Sequence, residues 1–472
     1  MVGVPRSNGC LLCVKRRIKC DQRLPGCVKC DKYGQACPGY DRGFKFITGK
    51  PYRDRRQPNP RRNDKKDGTC SKIATSNSNI GLEPCPTLAK REKPSYLIPV
   101  DMDIVQHLCV LIDDFSQPCT PSPTHVVVRW FGFLPSIYGQ NRVLDATIRS
   151  FTAHHFGRTT RNTQMVSYAR LAYGEALRGL RKSLETPAEG LSSHIFCAVV
   201  LLCMYELFTD TENPDSWMKH ANGLSQLVRI RGPDRHNTEL DITLLKAARG
   251  LIVMHSMFSG EECFLASDEW HDKMRPQYTL DFPPEVHSSI ELFFAYFTYA
   301  PSLVHKLYGL IKVDSNSAEV PQTVAEVLPK ALEMQMKLAI WYEHFSQIVP
   351  TPTETISSTG DELYPIILTY TDVSYATFYC GYYSYMVLIH ELLKTCGYPG
   401  EHEAMVTYFR DQICKSVEYN SVGVMGPYRM AFPLHVAFEV ADPVTRSWIL
   451  NRLEQFSNIY AAAQRENYQT IL

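Results

Sequence analysis

Six of the sixteen cysteines fall between residues 10 and 37, at Cys10, Cys13, Cys20, Cys27, Cys30 and Cys37, with the spacing C-x2-C-x6-C-x6-C-x2-C-x6-C. The unit C-x2-C-x6-C therefore occurs twice, in a stretch too poor in apolar residues to build a core of its own. Structural zinc takes four tetrahedral ligands, so six thiolates fill the positions on two ions only if two sulfurs bridge both metals. The spacing thus predicts two zinc ions per chain in one shared cluster, with folding of the segment dependent on metal. RING and LIM frameworks need eight Cys or His, and the first histidine is His107, far outside the segment. A thioredoxin-like redox pair needs one CxxC in a βαβ setting, which neither CxxC has.

The charges divide the chain. Residues 1–66 hold 18 Lys and Arg against 5 Asp and Glu, leaving 32 against 44 for the rest, although the net charge is only +1. A compact basic segment beside a larger, mildly acidic body suits a nucleic-acid reader joined to a second function. The two cysteine loops differ in the same sense. VKRRIK, between Cys13 and Cys20, carries Lys15, Arg16, Arg17 and Lys19, whereas DKYGQA, between Cys30 and Cys37, carries one cation and one anion. Read as a short helix, the first loop presents Arg16 and Arg17 near its middle, where planar guanidinium groups bond both O6 and N7 of guanine in the major groove. G-rich sites are the expectation. Lys15 and Lys19 are expected at phosphates, setting affinity and salt dependence without reading bases. Pro25 and Gly26 supply the turn between the halves.

These residues closely resemble the fungal Zn2Cys6 binuclear-cluster transcription factors. The whole cysteine frame fits, as do the basic run before Cys20, Asp21 directly after it, and the loop proline Pro25. The resemblance implies that Cys10 and Cys27 bridge the zincs and that Arg17, with Arg16 adjacent, stands at the position reading CGG triplets. Val14 departs from the family, which often has a basic residue there.

Residues 41–98 change character: rich in Pro, Gly, Asn, Ser and basic residues, with no apolar period, they read as a linker. Arg53, Arg55, Arg56, Arg61, Arg62, Lys65 and Lys66 are candidates for a nuclear localisation signal, for contact with the DNA backbone, or for a plain solvated linker. A second copy of the chain is a candidate partner, but residues 41–95 hold no heptad series to set half-site spacing.

From about residue 99 the chain reads as one all-helical domain. Helices are expected over 162–184, 192–208, 217–230, 240–258, 288–311, 324–348, 372–395, 403–419 and 443–465, with 192–208 apolar nearly all round and so buried. No run of alternating short strands competes. The segment from Ala198 to Pro233, with Tyr205-Glu206, Trp217, His220, Gly223 and the closing Arg231-Gly232-Pro233, resembles the fungal-specific transcription factor domain. Phe264-Leu265 and Asp268-Glu269-Trp270 resemble its second signature, with Asp268 where proline is usual. The resemblance implies a regulatory domain.

Catalytic patterns are absent: no HExxH, GxSxG, GxGxxG or P-loop occurs. Asp113-Asp114 are similar to an aspartate-rich Mg2+ motif, but Gln117 stands where another acid is needed, and an ordinary helix end is expected. His154 and His155 diverge on a helix, and the tyrosines at 379, 382, 383 and 385 are expected to pack as core rather than line a pocket. The other ten cysteines are read as buried thiols. No stretch reaches the roughly 20 apolar residues of a bilayer span, and no N-x-Ser/Thr sequon occurs. An intracellular, non-enzymatic protein is therefore expected: a mainly α, nuclear, zinc-dependent DNA-binding regulator of RNA polymerase II transcription, with residues 1–40 as reader and 99–472 as regulatory domain. Double-stranded DNA and the transcription machinery or co-regulators are its expected partners. The competing reading is a zinc- or redox-responsive protein acting through protein partners without specific DNA binding; a helical enzyme that acquired a zinc module is a third.

Overall fold

The computed structural model describes residues 10–21, 23, 26–35, 37–38, 101–116, 129–209, 216–275, 282–312 and 319–464. The chain divides into two compact units, Met1–Glu92 and Lys93–Leu472. The described part of the first contains two short helices, Leu11–Lys15 and Val28–Asp31. Its buried interior consists of Cys10, Cys13, Cys27 and Cys30, with Leu12, Cys20 and Cys37 packed against them. Sulfur occupies the place that aliphatic side chains take in an ordinary domain.

The second unit is helical, and its helix starts are set by side chains that the sequence supplies. Asn141, Asn162, Ser192, Thr238, Asp372 and Asp442 each accept a backbone N–H of the first turn that follows. Helix Ser193–Phe208 is buried at every position from Ile195 to Phe208, as its uniform hydrophobicity predicts. It packs against Arg142–Thr159, Ser216–Arg231 and Glu239–Ser259. A second central helix, Val373–Thr395, packs against Ala300–Lys312, Glu319–Ile348, His402–Lys415 and Gly426–Glu439. Tyr379, Tyr382, Tyr383 and Tyr385 are buried in its interior, where Tyr382 lies edge-on to Phe409 with centroids 5.8 Å apart. A large hydrophobic core runs through the described part of the unit, with a smaller cluster of Ala146, Ala176 and Leu202 beside it. Among the described residues no helix is long and apolar enough to cross a membrane.

Several expectations need correction. The helix expected over 443–465 ends at Ser457, and extended backbone at Tyr460 separates it from a short 3-10 turn at Ala461–Ala463. The helix expected over 288–311 is two, Pro284–Phe297 and Ala300–Lys312. Thr298 ends the first by donating its hydroxyl to the Ala295 carbonyl at 2.6 Å, and Pro301 starts the second where no N–H is needed. The helix expected over 403–419 stops at Lys415 and resumes as Val417–Asn420, because the Ser416 hydroxyl turns back onto the Gln412 carbonyl at 2.6 Å. A hairpin also occurs: Thr353–Ile356 pairs antiparallel with Ile366–Thr369, Thr353 opposite Thr369. Four-residue strands are too short for a period of two to register.

The acidic pair at 113 and 114 lies in helix Asp101–Ser116, where Asp114 Oδ2 meets His155 Nε2 at 2.6 Å. His154 points elsewhere and lies edge-on to Tyr205, ring centroids 5.5 Å apart. Of the ten cysteines expected as buried thiols, Cys197, Cys203, Cys263, Cys380 and Cys414 are buried, and burial pushes the Cys380 thiol up to about 11 and Cys414 to about 12. Cys109, however, is exposed and Cys396 half-buried, while Cys70, Cys85 and Cys119 lie outside the described residues.

The Arg-Gly-Pro signature fastens helix ends. Arg231 Nη2 donates to Asp241 Oδ1 at 2.8 Å and Nη1 to the Leu191 carbonyl, while Asp241 also accepts from Ser193 Oγ at 3.0 Å and Thr238 Oγ1 at 2.6 Å. Arg231 and Asp241 are 4% and 2% exposed, so neither charge has water to fall back on. Gly232 follows with a φ of 67°, in the left-handed region where a β-carbon is disfavoured. Replacing Arg231 by Ala leaves the Asp241 carboxylate buried and unpaired, and is expected to lower the unfolding free energy of the helical unit by about 3–5 kcal/mol, measured as a fall in the urea midpoint of the circular-dichroism transition.

Candidate functional site

The two cysteine repeats fold alike. Cys10 precedes the first short helix and Cys13 lies within it; Cys27 caps the second helix and Cys30 lies within that. In each half a backbone N–H is directed back onto a sulfur: Cys13 N–H donates to Cys10 Sγ at 3.4 Å, and Cys30 N–H to Cys27 Sγ at 3.3 Å. Such donation favours the thiolate. Asp21 joins the halves by accepting the Val28 N–H at 3.1 Å.

The sulfurs form two groups of four. Those of Cys10, Cys13, Cys20 and Cys27 lie within 4.8 Å of one another, as do those of Cys10, Cys27, Cys30 and Cys37, so Cys10 and Cys27 belong to both groups. The separations are 3.7 Å for Cys10–Cys27, 3.5 Å for Cys10–Cys30 and 3.6 Å for Cys13–Cys27. A disulfide has its sulfurs about 2.05 Å apart. A tetrahedron of sulfurs around zinc, with bonds of about 2.3 Å, has edges of about 3.8 Å. The donor set therefore fits zinc in softness, number and spacing. Loss of hydration, followed by contact with Cys10, Cys27 and Cys20, pushes the Cys13 thiol up to about 12, and Cys30 is pushed up by burial and its sulfur neighbours. Bound divalent metal inverts that order, since a coordinating thiol loses its proton outright.

The basic loop differs from its sequence reading in one respect. Helix Leu11–Lys15 is too short to hold Arg16 and Arg17 near its middle; both lie in the turn that ends it. Arg16 N–H bonds the Leu12 carbonyl at 3.0 Å and Ile18 N–H the Cys13 carbonyl at 3.1 Å, with Arg17 left-handed between them at a φ of 54°. The physical reason is the return of Cys20 to the sulfur group, which six intervening residues cannot achieve as continuous helix. The two arginines are consequently not equivalent. Arg16 is half-buried, its guanidinium 3.5 Å from the centroid of the Tyr33 ring in the second repeat. Arg17, Lys15 and Lys19 are exposed. Tyr33 went unnoticed in the sequence, where a single aromatic in DKYGQA gives no periodic signal. Pro25, the Val14 side chain and the seven linker cations Arg53 to Lys66 lie outside the described residues.

The signatures of the helical unit form a structural framework. Phe264 lies edge-on to Trp270 with centroids 5.3 Å apart, and Arg229 caps the Phe264 ring at 4.9 Å. Leu265 is fully buried, whereas Asp268 and Glu269 are exposed. Glu206 Oε1 accepts the Tyr173 hydroxyl, which also lies 2.9 Å from His220 Nε2. Tyr173 lies outside both signatures, and only its place on the helix carrying Ala169, Ala172 and Ala176 inward hinted at burial.

Comparison with known proteins gives two family matches. Residues 8–45 match the fungal Zn(2)-Cys(6) binuclear cluster domain, and residues 115–339 match the fungal specific transcription factor domain. Neither is an enzyme family. Among curated proteins, an uncharacterised protein of Emericella nidulans is 27% identical over 158 residues, 33% of this chain and 34% of that one. An uncharacterised transcriptional regulatory protein of Schizosaccharomyces pombe is 27% identical over 146 residues, 31% of this chain and 23% of that one. White-opaque regulator 2 of Candida albicans is 47% identical over 47 residues, 10% of each chain. The chain thus spans about a third or less of the length of the relatives it matches. No solved structure matches. With the first match over the sulfur groups and the second over helices between residues 115 and 339, in the order the sequence implied, the chain carries the two domains that mark the fungal Zn(2)-Cys(6) transcription factors.

Proposed function

We propose that the chain is a nuclear regulator of RNA polymerase II transcription that reads CGG-type DNA through two zinc ions held by Cys10, Cys13, Cys20, Cys27, Cys30 and Cys37. The observation that carries this reading is the membership of Cys10 and Cys27 in both four-sulfur groups, which matches six ligands to two tetrahedral ions. Cys10 and Cys27 then bridge, Cys13 and Cys20 complete one site, and Cys30 and Cys37 the other. Zinc, when bound, supplies the cross-link that an apolar core would otherwise provide.

The chain's own residues do the recognising. Arg17 is the base reader, free at the turn to present a guanidinium edge to guanine O6 and N7. Arg16 acts at one remove, its stacking on Tyr33 fixing the turn that carries Arg17. Lys15 and Lys19 bind phosphates. Residues 1–40 form the reader, 41–98 a basic linker whose Arg53, Arg55, Arg56, Arg61, Arg62, Lys65 and Lys66 serve nuclear import, and 99–472 the regulatory domain that meets co-regulators. Homodimeric binding belongs to the proposal, and its stoichiometry is read from oligonucleotides selected by the purified protein.

Three outcomes test this. A chelator is expected to unfold residues 10–37 and abolish sequence-specific binding while the circular-dichroism signal of the helical unit stays nearly unchanged; elemental analysis showing fewer than two zincs per native chain overturns the cluster. Arg17→Ala is expected to weaken binding to a CGG duplex by about 1–3 kcal/mol and to relax preference at one base, read by fluorescence anisotropy against point-substituted duplexes. Unchanged specificity in that variant favours instead the sensor that never reads DNA. Lys15→Ala and Lys19→Ala are expected to weaken binding uniformly across sequences and to flatten the slope of log affinity against log salt by about 1 each.

A further inference from the structure

A cavity of about 300 Å³ opens among helices Arg142–Thr159, Thr163–Ser183 and Ser193–Phe208. That is the space of about ten water molecules and the lower end of the range for small-molecule sites. Its lining is polar in a way that packing alone does not explain. Both ring nitrogens of His154, Glu206 Oε2 and Thr209 Oγ1 are buried and have no hydrogen-bond partner among the described residues. Their residues are only 5–6% exposed. Buried polar atoms are nearly always satisfied, so four of them around one cavity mark the position of an absent polar partner.

The charges specify what kind. Arg158 and Arg170 line one part of the cavity and Glu206 another. Arg158 donates Nη2 to the Asn458 carbonyl at 2.6 Å, which fixes its guanidinium in place. Arg170, on the exposed rim, has no ion pair among the described residues. Glu206 uses Oε1 for the Tyr173 hydroxyl, so Oε2 remains for a donor in the cavity. Burial, reinforced by Arg158, His155 and Arg170, pulls His154 down to about 4, making it a neutral ring with one donor and one acceptor. A phosphate would meet the guanidinium groups but also the carboxyl, and a simple amine the reverse. A dipolar molecule satisfies both.

We propose that this cavity binds a small zwitterion of the free amino acid class, with its carboxylate on Arg170 and Arg158 and its ammonium group on Glu206 Oε2. Bidentate guanidinium–carboxylate geometry supplies orientation. His154 and Thr209 take the remaining polar atoms, and Tyr205, stacked on Tyr173 with ring centroids 4.6 Å apart, forms a rigid wall. Because Tyr205, Glu206 and Tyr173 hang on the central buried helix and its neighbour, occupancy would brace the helices that surround them.

The experiment titrates the zinc-loaded full chain with each standard amino acid by calorimetry and follows thermal unfolding in parallel. At least one amino acid is expected to bind with one site per chain and to raise the melting temperature. Its N-acetyl and its amide derivatives, each lacking one charge, are expected to bind at least tenfold more weakly. Arg170→Gln and Glu206→Gln are expected to lose at least tenfold in affinity, with unliganded Arg170→Gln melting where the wild type does. Should Glu206→Gln fail to fold, the exposed Arg170 variant decides alone. No binding by any amino acid, equal binding by the charge-deleted analogues, or unchanged affinity in Arg170→Gln overturns the proposal. None of these outcomes depends on DNA, so they leave the zinc-cluster reading untouched.

Discussion

Six sulfurs crowded into one small volume are the constraint from which the N-terminal unit follows. Thiolates a few ångströms apart repel, and thiols stripped of water resist ionisation, as the upward shift of Cys13 illustrates. Neither state gives a segment of this size a stable interior, because among the described residues its buried side chains are cysteines. Divalent cations resolve both difficulties at once. The loop geometry, the termination of the first helix at Lys15 and the left-handed Arg17 are then consequences of bringing Cys20 back to the same metal group as Cys10 and Cys13.

The helical unit rests on different physics. Its core is aromatic and aliphatic, and several of its buried charges are tied in pairs or clusters. Beside the Arg231–Asp241 pair, Glu291 lies 3.1 Å from Lys246 and is also paired with Arg249, with His287 at 3.5 Å. Burial alone would raise the Glu291 carboxyl, but these cations and the His287 hydrogen bond hold it well below the usual carboxylate range. A carboxylate depressed in the folded state contributes its stability above its unfolded value of about 4.3 and loses that contribution as the pH falls below it. Breaking any member of such a cluster leaves the others charged and dry, so these groups act as fasteners between helices rather than as chemistry in waiting.

Spacing and capping were legible in the sequence; contacts across the fold were not. The cysteine frame is a local repeat, and Asn162, Ser192 and Asp372 announce the helices that follow them because a cap acts within one turn. The break at Thr298 escaped notice because apolar residues continue on both sides of it, and the hairpin because its strands are four residues long. The unequal roles of Arg16 and Arg17 escaped for a deeper reason. Adjacent identical residues look interchangeable until the chain reverses between them and Tyr33, distant in sequence, claims one. The polar cavity has the same character, since His154, Tyr173 and Glu206 come from three helices and no window of sequence contains them together.

That reversal also links the metal to recognition. Six thiolates on two zinc ions would leave two negative charges on the cluster, and Lys15, Arg17 and Lys19 stand exposed on the loop between Cys13 and Cys20, close enough in sequence to offset them. In the proposed reading the same cations would meet DNA, so phosphates approaching this surface would compete with the cluster for positive charge. The acidic remainder of the chain makes the arrangement one-sided: 32 cations against 44 anions beyond residue 66 leave no general attraction for DNA there, and the basic residues before it must supply any. In that reading affinity, metal content and the identity of one exposed arginine are coupled through a single turn of backbone.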